Sequence, residues 1–187
     1  IMRNLPGMTI VEPVDSVQLA ALLPQVISHP GPVYMRLHRK NKEVLFSPDR
    51  SFTIGKIETL ETGEDVTLIC SGMMVKQSLK ASEILRKEGV RPRVLNMHTL
   101  KPVDATTIIQ AARETGAIVV AENHSVLNAW GSAVAEVVSE HCPVPVFRIG
   151  VQEHFGEVGK SDFLMEKYHM TAADIVQAAY SAMDKKR

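Results

Sequence analysis

Cysteine, aromatic residues and any surplus of charge are all scarce in this sequence. Only Cys70 and Cys142 occur among its 187 residues. One lies in an apolar stretch and the other at the end of a helical pattern, so they read as reduced structural thiols of a cytosolic protein, not as a disulfide framework. Lysine plus arginine equals aspartate plus glutamate at 21 each, which removes any global electrostatic reason to expect nucleic acid or an anionic membrane as a partner. No run approaches the roughly 18 consecutive apolar residues of a membrane span, and no charged start followed by an apolar core resembles a secretory leader. The expected location is the cytoplasm. The seven histidines form no His-x-His or His-x-x-x-His pair, whereas a zinc site needs three or four convergent ligands. No bound metal is expected.

What the sequence does contain is alternation of strand and helix. With 45% hydrophobic residues the chain is long and apolar enough to bury a core. Val66 to Cys70 is a short apolar run closed by Ser71 and Gly72, the pattern of a buried parallel strand. Val75, Leu79, Ile84 and Leu85 then recur at helical spacing, Gly89 stops the helix, and Arg93 to Met97 returns to strand composition. That is a βαβ unit, which implies a right-handed crossover in a parallel sheet. The pattern repeats: Asp104 caps a helix bearing Ile108, Ile109 and Ala112, Gly116 ends it, and Ala117 to Ala121 is a buried strand. Trp130, Val134, Val137 and Val138 form a helical stripe, VPVF at 144–147 a strand, and Thr171 with Asp174 a capping box before a last helix. The expected fold class is α/β, a three-layer domain with a mostly parallel sheet of about five strands, preceded by the end of a second α/β domain.

The N-terminal third has a different character. Met8 to Val11 reads as a short strand, and Asp15 or Ser16 caps a helix carrying Val17, Leu19, Ala20, Leu22 and Leu23. After Pro30 and Pro32, Val33, Met35 and Leu37 alternate with Tyr34, Arg36 and His38, as in a strand with unlike faces. Residues 43–64 carry no long periodic element but do carry Pro48, Gly55 and Gly63, and are expected to be a linker. The division is therefore 1–42, 43–64 and 65–187. A start at Ile1, in the approach to a strand, suggests that something upstream is missing.

Four segments in order carry a resemblance: DVTLICSGMMVKQSLKASEIL (65–85), VLNMHTLKPVD (94–104), VVAENHSVLNAWGSAVAEVV (119–138) and FGEVGKSDFLMEKYHMTAADIV (155–176). Together they resemble the C-terminal domain of the transketolase family of thiamine diphosphate enzymes, as it occurs in transketolase itself or in the separate C-terminal subunit of a split bacterial transketolase. The segments MRNLPGMTIVEPVDSVQLAALL and GPVYMRLHRKN are similar to the last part of the pyrimidine-binding domain of the same enzymes. Deoxyxylulose-phosphate synthase and the beta chain of 2-oxoacid dehydrogenases share the scaffold and stand as alternatives. The resemblance implies transfer of a two-carbon ketol unit between sugar phosphates. It also implies thiamine diphosphate and magnesium in the complete enzyme, with neither held by this chain. The family's Gly-Asp-Gly cofactor motif does not occur here, and its activating glutamate and substrate-contacting histidines belong upstream of Ile1. No catalytic or cofactor-binding residue is therefore assigned. The implied partners are a second copy of the chain, an N-terminal transketolase subunit, or both.

One site carries over from the resemblance. In GPVYMRLHRKN, Arg39 matches the family's arginine at a strand end before an asparagine, which contacts substrate phosphate in members that use phosphorylated sugars; His38 stands beside it where a small residue or proline is usual. Forked guanidinium donors suit phosphate oxygens, and Arg36, His38, Lys40 and Lys42 are expected to add positive potential; Arg39 and His38 are the expected substrate-phosphate contacts. Glu122, Asn123 and His124 follow a parallel strand, where open α/β sheets bind ligands, although packing is the stronger expectation. The family's Gly-Gly after them is replaced by Asn128 and Ala129, with Gly131 retained. Ser71 and Gly72 could seat an anion at a helix N-terminus or simply make a tight turn. Met73 and Met74 read as core filling. Two classes of function stand: part of a transketolase-type enzyme, or a non-catalytic dimerisation or regulatory module.

Overall fold

The computed structural model describes residues 1–39 and 43–186. After a 3-10 turn at Met2–Asn4 come β1 (Thr9–Val11), α1 (Ser16–Ile27), β2 (Val33–Met35), β3 (Glu58–Glu61), β4 (Val66–Cys70), α2 (Met74–Lys87), β5 (Pro92–Asn96) and β6 (Thr99–Lys101). Then come α3 (Ala105–Thr115), β7 (Ile118–Ser125), α4 (Trp130–His141), β8 (Val146–Val151), α5 (Ser161–Lys167) and α6 (Ala172–Met183). The larger sheet has five strands in the order β3-β5-β4-β7-β8, with β3 antiparallel along one edge and the rest parallel. This is the mostly parallel α/β sheet expected from the sequence.

β4 shows why the sheet sits between two layers. All five of its residues are buried, and the strand's period of two divides them between opposite faces. Val66, Leu68 and Cys70 join Met74, Leu85, Ile175 and Ala179 beneath α2 and α6. Ile69 joins Ile108, Ala112, Trp130 and Val134 beneath α3 and α4. Burial on both faces leaves no room for a polar alternation, which is why the run reads as apolar but for Thr67, whose hydroxyl is paired with that of Thr115 at 2.8 Å. Burial also pushes the Cys70 thiol up to about 12, so this cysteine is a packing residue.

The helix ends form as their sequences dictate. Asp104 Oδ1 accepts from Thr107 N at 3.4 Å and Gly116 closes α3 in the left-handed conformation at φ 67°. Thr171 and Asp174 make a reciprocal capping box for α6. Three local expectations shift. Ile84 is 37% exposed, and Ser78, Ala81 and Ser82 take the buried face of α2, because that face lies against the small residues Ala178, Ala179 and Ala182 of α6. β8 starts at Val146 and not at 144, since Pro145 has no N–H to give a ladder. Glu58–Glu61, inside the stretch read as aperiodic, forms the edge strand β3; charged residues on an exposed edge carry no apolar alternation to read.

A second, smaller sheet has the order β2-β1-β6, with β2 parallel and β6 antiparallel to β1. Its anchor is Asp15, the N-cap of α1. Oδ1 accepts from Gln18 N at 2.8 Å, while Oδ2 accepts from Leu45 N at 2.7 Å and Phe46 N at 2.9 Å. One carboxylate thus starts a helix and pins the chain that leaves β2. Replacing Asp15 by alanine orphans three backbone donors, and should lower stability by ~2–4 kcal/mol. A urea unfolding midpoint unchanged in Asp15→Ala would show that water meets those donors instead.

Candidate functional site at the joint of the two sheets

From β4 the chain adds β5 on one side and later β7 on the other, so the connections diverge beyond the carboxyl ends of β4 and β7, the place where open sheets take ligands. Here that crevice is filled by the chain itself. Glu12, just past β1, has no exposed surface. Its carboxylate pairs with Arg36 Nη1 and accepts from Ser71 Oγ at 2.8 Å. His38 Nε2 stands 3.3 Å from Oε1 and has no other polar partner among the described residues. Arg36 also donates from Nη2 to the Asn123 carbonyl at 2.6 Å. Burial acts to raise the Glu12 carboxyl, and the contacts with His38, Arg36 and Ser71 outweigh it, leaving the group below its ordinary value.

Gly72 completes the joint. It has φ +51°, and a Cβ there would collide with His38 Nε2 and lie 2.8 Å from Glu12 Cδ. Only glycine lets the backbone pass so close. The anion at the start of α2 that Ser71 and Gly72 could seat is thus the chain's own Glu12. Of the two methionines after Gly72, Met74 is fully buried and Met73 packs against the same core.

A second buried carboxylate lies close by. Glu122, also without exposed surface, accepts from Trp130 N at 2.9 Å and Gly131 N at 3.0 Å. It thereby caps α4, whose own N-cap residue Ala129 has no side chain to do so. A Cβ at Gly131 would fall 2.7 Å from Arg148 Cγ and Cδ, so the retained glycine is required by close packing. Asn128 takes φ 61°, the left-handed conformation that asparagine tolerates best after glycine. The three polar residues after the buried part of β7 therefore divide: Glu122 caps a helix, Asn123 gives its carbonyl to Arg36, and His124 is exposed.

Burial pushes the Glu122 carboxyl up to about 7; the amides of Gly131 and Trp130 oppose this, the nearby Glu12 charge adds to it, and Arg148 opposes it. A carboxyl raised in the folded state stabilises the fold fully below its unfolded value near 4.5, and that contribution is lost as pH rises through about 7. Buried His98, pushed down to about 4 by desolvation, works in the opposite direction, so a comparison with Glu122→Gln isolates the carboxyl. Between about pH 5 and about pH 8 the melting temperature of wild type should fall relative to that of Glu122→Gln. A constant difference across that range would mean the carboxyl titrates normally.

Beyond the joint, a cavity of about 830 Å³ opens between the end of β2, the first turns of α2 and the segment 151–170. His38 and Arg39 line it together with Lys76, Lys80, Lys160 and Tyr168. Carboxylates face it too: Glu43 pairs with Lys76 at 2.5 Å, and Glu157 pairs with Lys167 at 2.7 Å. Arg39 is exposed toward this space, and no ion pair involving it occurs among the described residues. His38 is mostly covered, its side chain 12% exposed. Arg36, expected to add free positive potential, is instead neutralised by Glu12; Lys40, Asn41 and Lys42 lie outside the described residues. Glu12 itself was not singled out in the sequence, although an ionisable residue between Val11 and Pro13 in an apolar segment is a readable anomaly.

Among the described residues, no group of three or more His, Cys, Asp or Glu is arranged to hold a metal ion, and no helix is long and apolar enough to cross a membrane. The family described as transketolase, C-terminal domain, matches residues 55–175. The chain is 49% identical to a 6-deoxy-6-sulfo-D-fructose transketolase subunit of a Clostridium species, over 100% of this chain and 58% of that protein. It is 37% identical to one subunit of the apulose-4-phosphate transketolase of Phocaeicola vulgatus (99% and 59%), and 35% identical to a 1-deoxy-D-xylulose-5-phosphate synthase of Geobacter sulfurreducens (95% and 28%). A solved structure titled as a split gene transketolase, inactive beta4 tetramer, superposes with a TM-score of 0.94 at 44% identity, covering 100% of this chain and 60% of the other. The chain thus spans less than two thirds of these relatives.

Proposed function

Because the chain belongs to the transketolase family, through its C-terminal domain, we propose that it is the C-terminal portion of a thiamine-diphosphate-dependent transketolase. That enzyme moves a two-carbon ketol unit between sugars that carry a terminal anion. In this reading residues 1–42 are the end of the pyrimidine-binding domain and the C-terminal domain follows a linker within 43–64 that ends before β3, since that strand already belongs to the larger sheet. Relatives named as subunits, and a solved relative titled as a tetramer of beta chains, support assembly with further copies and with a subunit bearing the missing half.

The residues present do not fit the cofactor. The sequence has no Gly-Asp-Gly, and the described residues offer no cluster of metal-ligating side chains. Diphosphate and magnesium are assigned to other parts of the assembled enzyme, and this chain alone is expected to be inactive. Its own part is to give contact surface for assembly and to bind the distal end of the sugar. The observation that carries this is Arg39, exposed at the mouth of a cavity and without an ion-pair partner among the described residues. A forked cation suits an anion with three oxygens. His38, beside it in the cavity wall, shapes the same subsite.

D-fructose 6-phosphate, 6-deoxy-6-sulfo-D-fructose and D-fructose differ only at carbon 6, so they serve as a donor panel for the enzyme assembled with its partner subunit. Arg39→Ala should raise KM for the two anionic donors about 10- to 100-fold, the value of a lost charge-assisted bond, and leave fructose unaffected. An equal change on all three would remove Arg39 from the anion subsite. The relative at 49% identity, named for a sulfosugar, favours a sulfonate as the anion, and a lower wild-type KM for the phosphate donor would reverse that choice. A chain that assembles yet changes no donor's kinetics on any substitution at this cavity would be the interaction module instead.

A further inference from the structure

We infer that Glu12 is a positioning residue for the sugar's terminal anion: its buried carboxylate holds Arg36 and His38, and so sets where Arg39 stands. The inference rests on the proposed role of Arg39. Beyond Met35 the chain leaves the ladder of β2, and the Arg36 N–H donates to the Val11 carbonyl at 2.9 Å. Over Arg36 to Arg39 the further hydrogen bonds and ion pairs among the described residues come from side chains. Arg36 pairs with Glu12 and reaches Asn123 O at 2.6 Å, and His38 lies 3.3 Å from the same carboxylate oxygen. Residues on both sides of Leu37 thus converge on one acceptor group, and Arg39 is the next residue along.

The carboxylate and its backbone are held from other directions too. Ser71 Oγ donates to Oε2 at 2.8 Å, and Glu12 N donates to the His98 carbonyl at 2.8 Å. The Gly72 backbone packs against the Nε2 edge of His38 and the Glu12 carboxyl, with no space for even a methyl group. Such a frame sets the point from which the Arg39 side chain reaches the cavity, and anion binding depends on that placement because misplacing a binding group by an ångström can cost about 100-fold. Glu12 does not touch the sugar in this scheme. Its effect passes through Arg39, which separates it from a residue that merely ties two sheets together.

The test uses the assembled enzyme and the three donors differing at carbon 6. Glu12→Gln should raise KM for the phosphate and sulfonate donors about 5- to 20-fold, with kcat for all donors and KM for fructose within about twofold of wild type. Glu12→Asp, which keeps the charge, should recover part of the loss. A change shared equally by all three donors, or no change in any, overturns the inference and leaves Glu12 as structural glue. Arg39→Ala run alongside keeps the two readings apart: if it is selective for anionic donors while Glu12→Gln is not, the role of Arg39 stands and that of Glu12 falls. If Arg39→Ala is itself unselective, the anion subsite is lost and the Glu12 inference is overturned with it. Should Glu12→Gln fail to assemble, the double variant Glu12→Gln/Arg36→Gln leaves no buried ion unpaired and must show the same selectivity.

Discussion

A carboxylate with no exposed surface has lost its water and must be met by donors from whatever parts of the chain can reach it. At Glu12 those donors arrive from two distant stretches: Arg36 and His38 past the end of β2, and Ser71 past the end of β4. The Glu12 bond to Ser71 and the Arg36 bond to Asn123 thereby tie the smaller sheet to the larger one. The same contact explains the crowding at Gly72, the commitment of Arg36 to a structural task, and the absence of an open crevice where the strand order reverses. In a free-standing α/β sheet that crevice would be the first place to look for a ligand; here the neighbouring sheet has moved in, and the available space lies further out, at the cavity lined by Arg39.

Much of the fold was legible because its signals are local. The uniform burial of VTLIC, the caps Asp15, Asp104 and Thr171 and the αL glycine at 116 each express a rule that acts within a few residues. What escaped depends on neighbours remote in sequence. Ile84 has the right spacing for the buried stripe, yet the alanines of α6 bring the helices close along a stripe of small residues instead. Glu58–Glu61 and Thr99–Lys101 become strands by docking on edges that exist only once the sheets have formed.

The candidate site divides in the same way. Arg39 was found through a matching motif, and nothing in its own spacing announced it. Its support was hidden, because the value of Glu12 lies in partners dozens of residues away. The charge count was misleading at this place: of the cations around the strand end, Arg36 contributes its charge to Glu12 and none to the cavity. The cavity wall mixes cations with carboxylates, so the proposed selectivity for an anion depends on the placement of one guanidinium and not on a broad positive field.

β6 belongs by sequence to the later part of the chain yet supplies the third strand of the first sheet, antiparallel to β1. A chain emerging from the ribosome makes β1, α1 and β2 before β6, so that sheet has to wait, incomplete, until Lys101 has been synthesised. By then β4, α2 and β5 are already available to fold on local contacts. The strands made before the larger sheet are thus closed only after part of that sheet can fold, and Glu12 meets Ser71 only once β4 has been made.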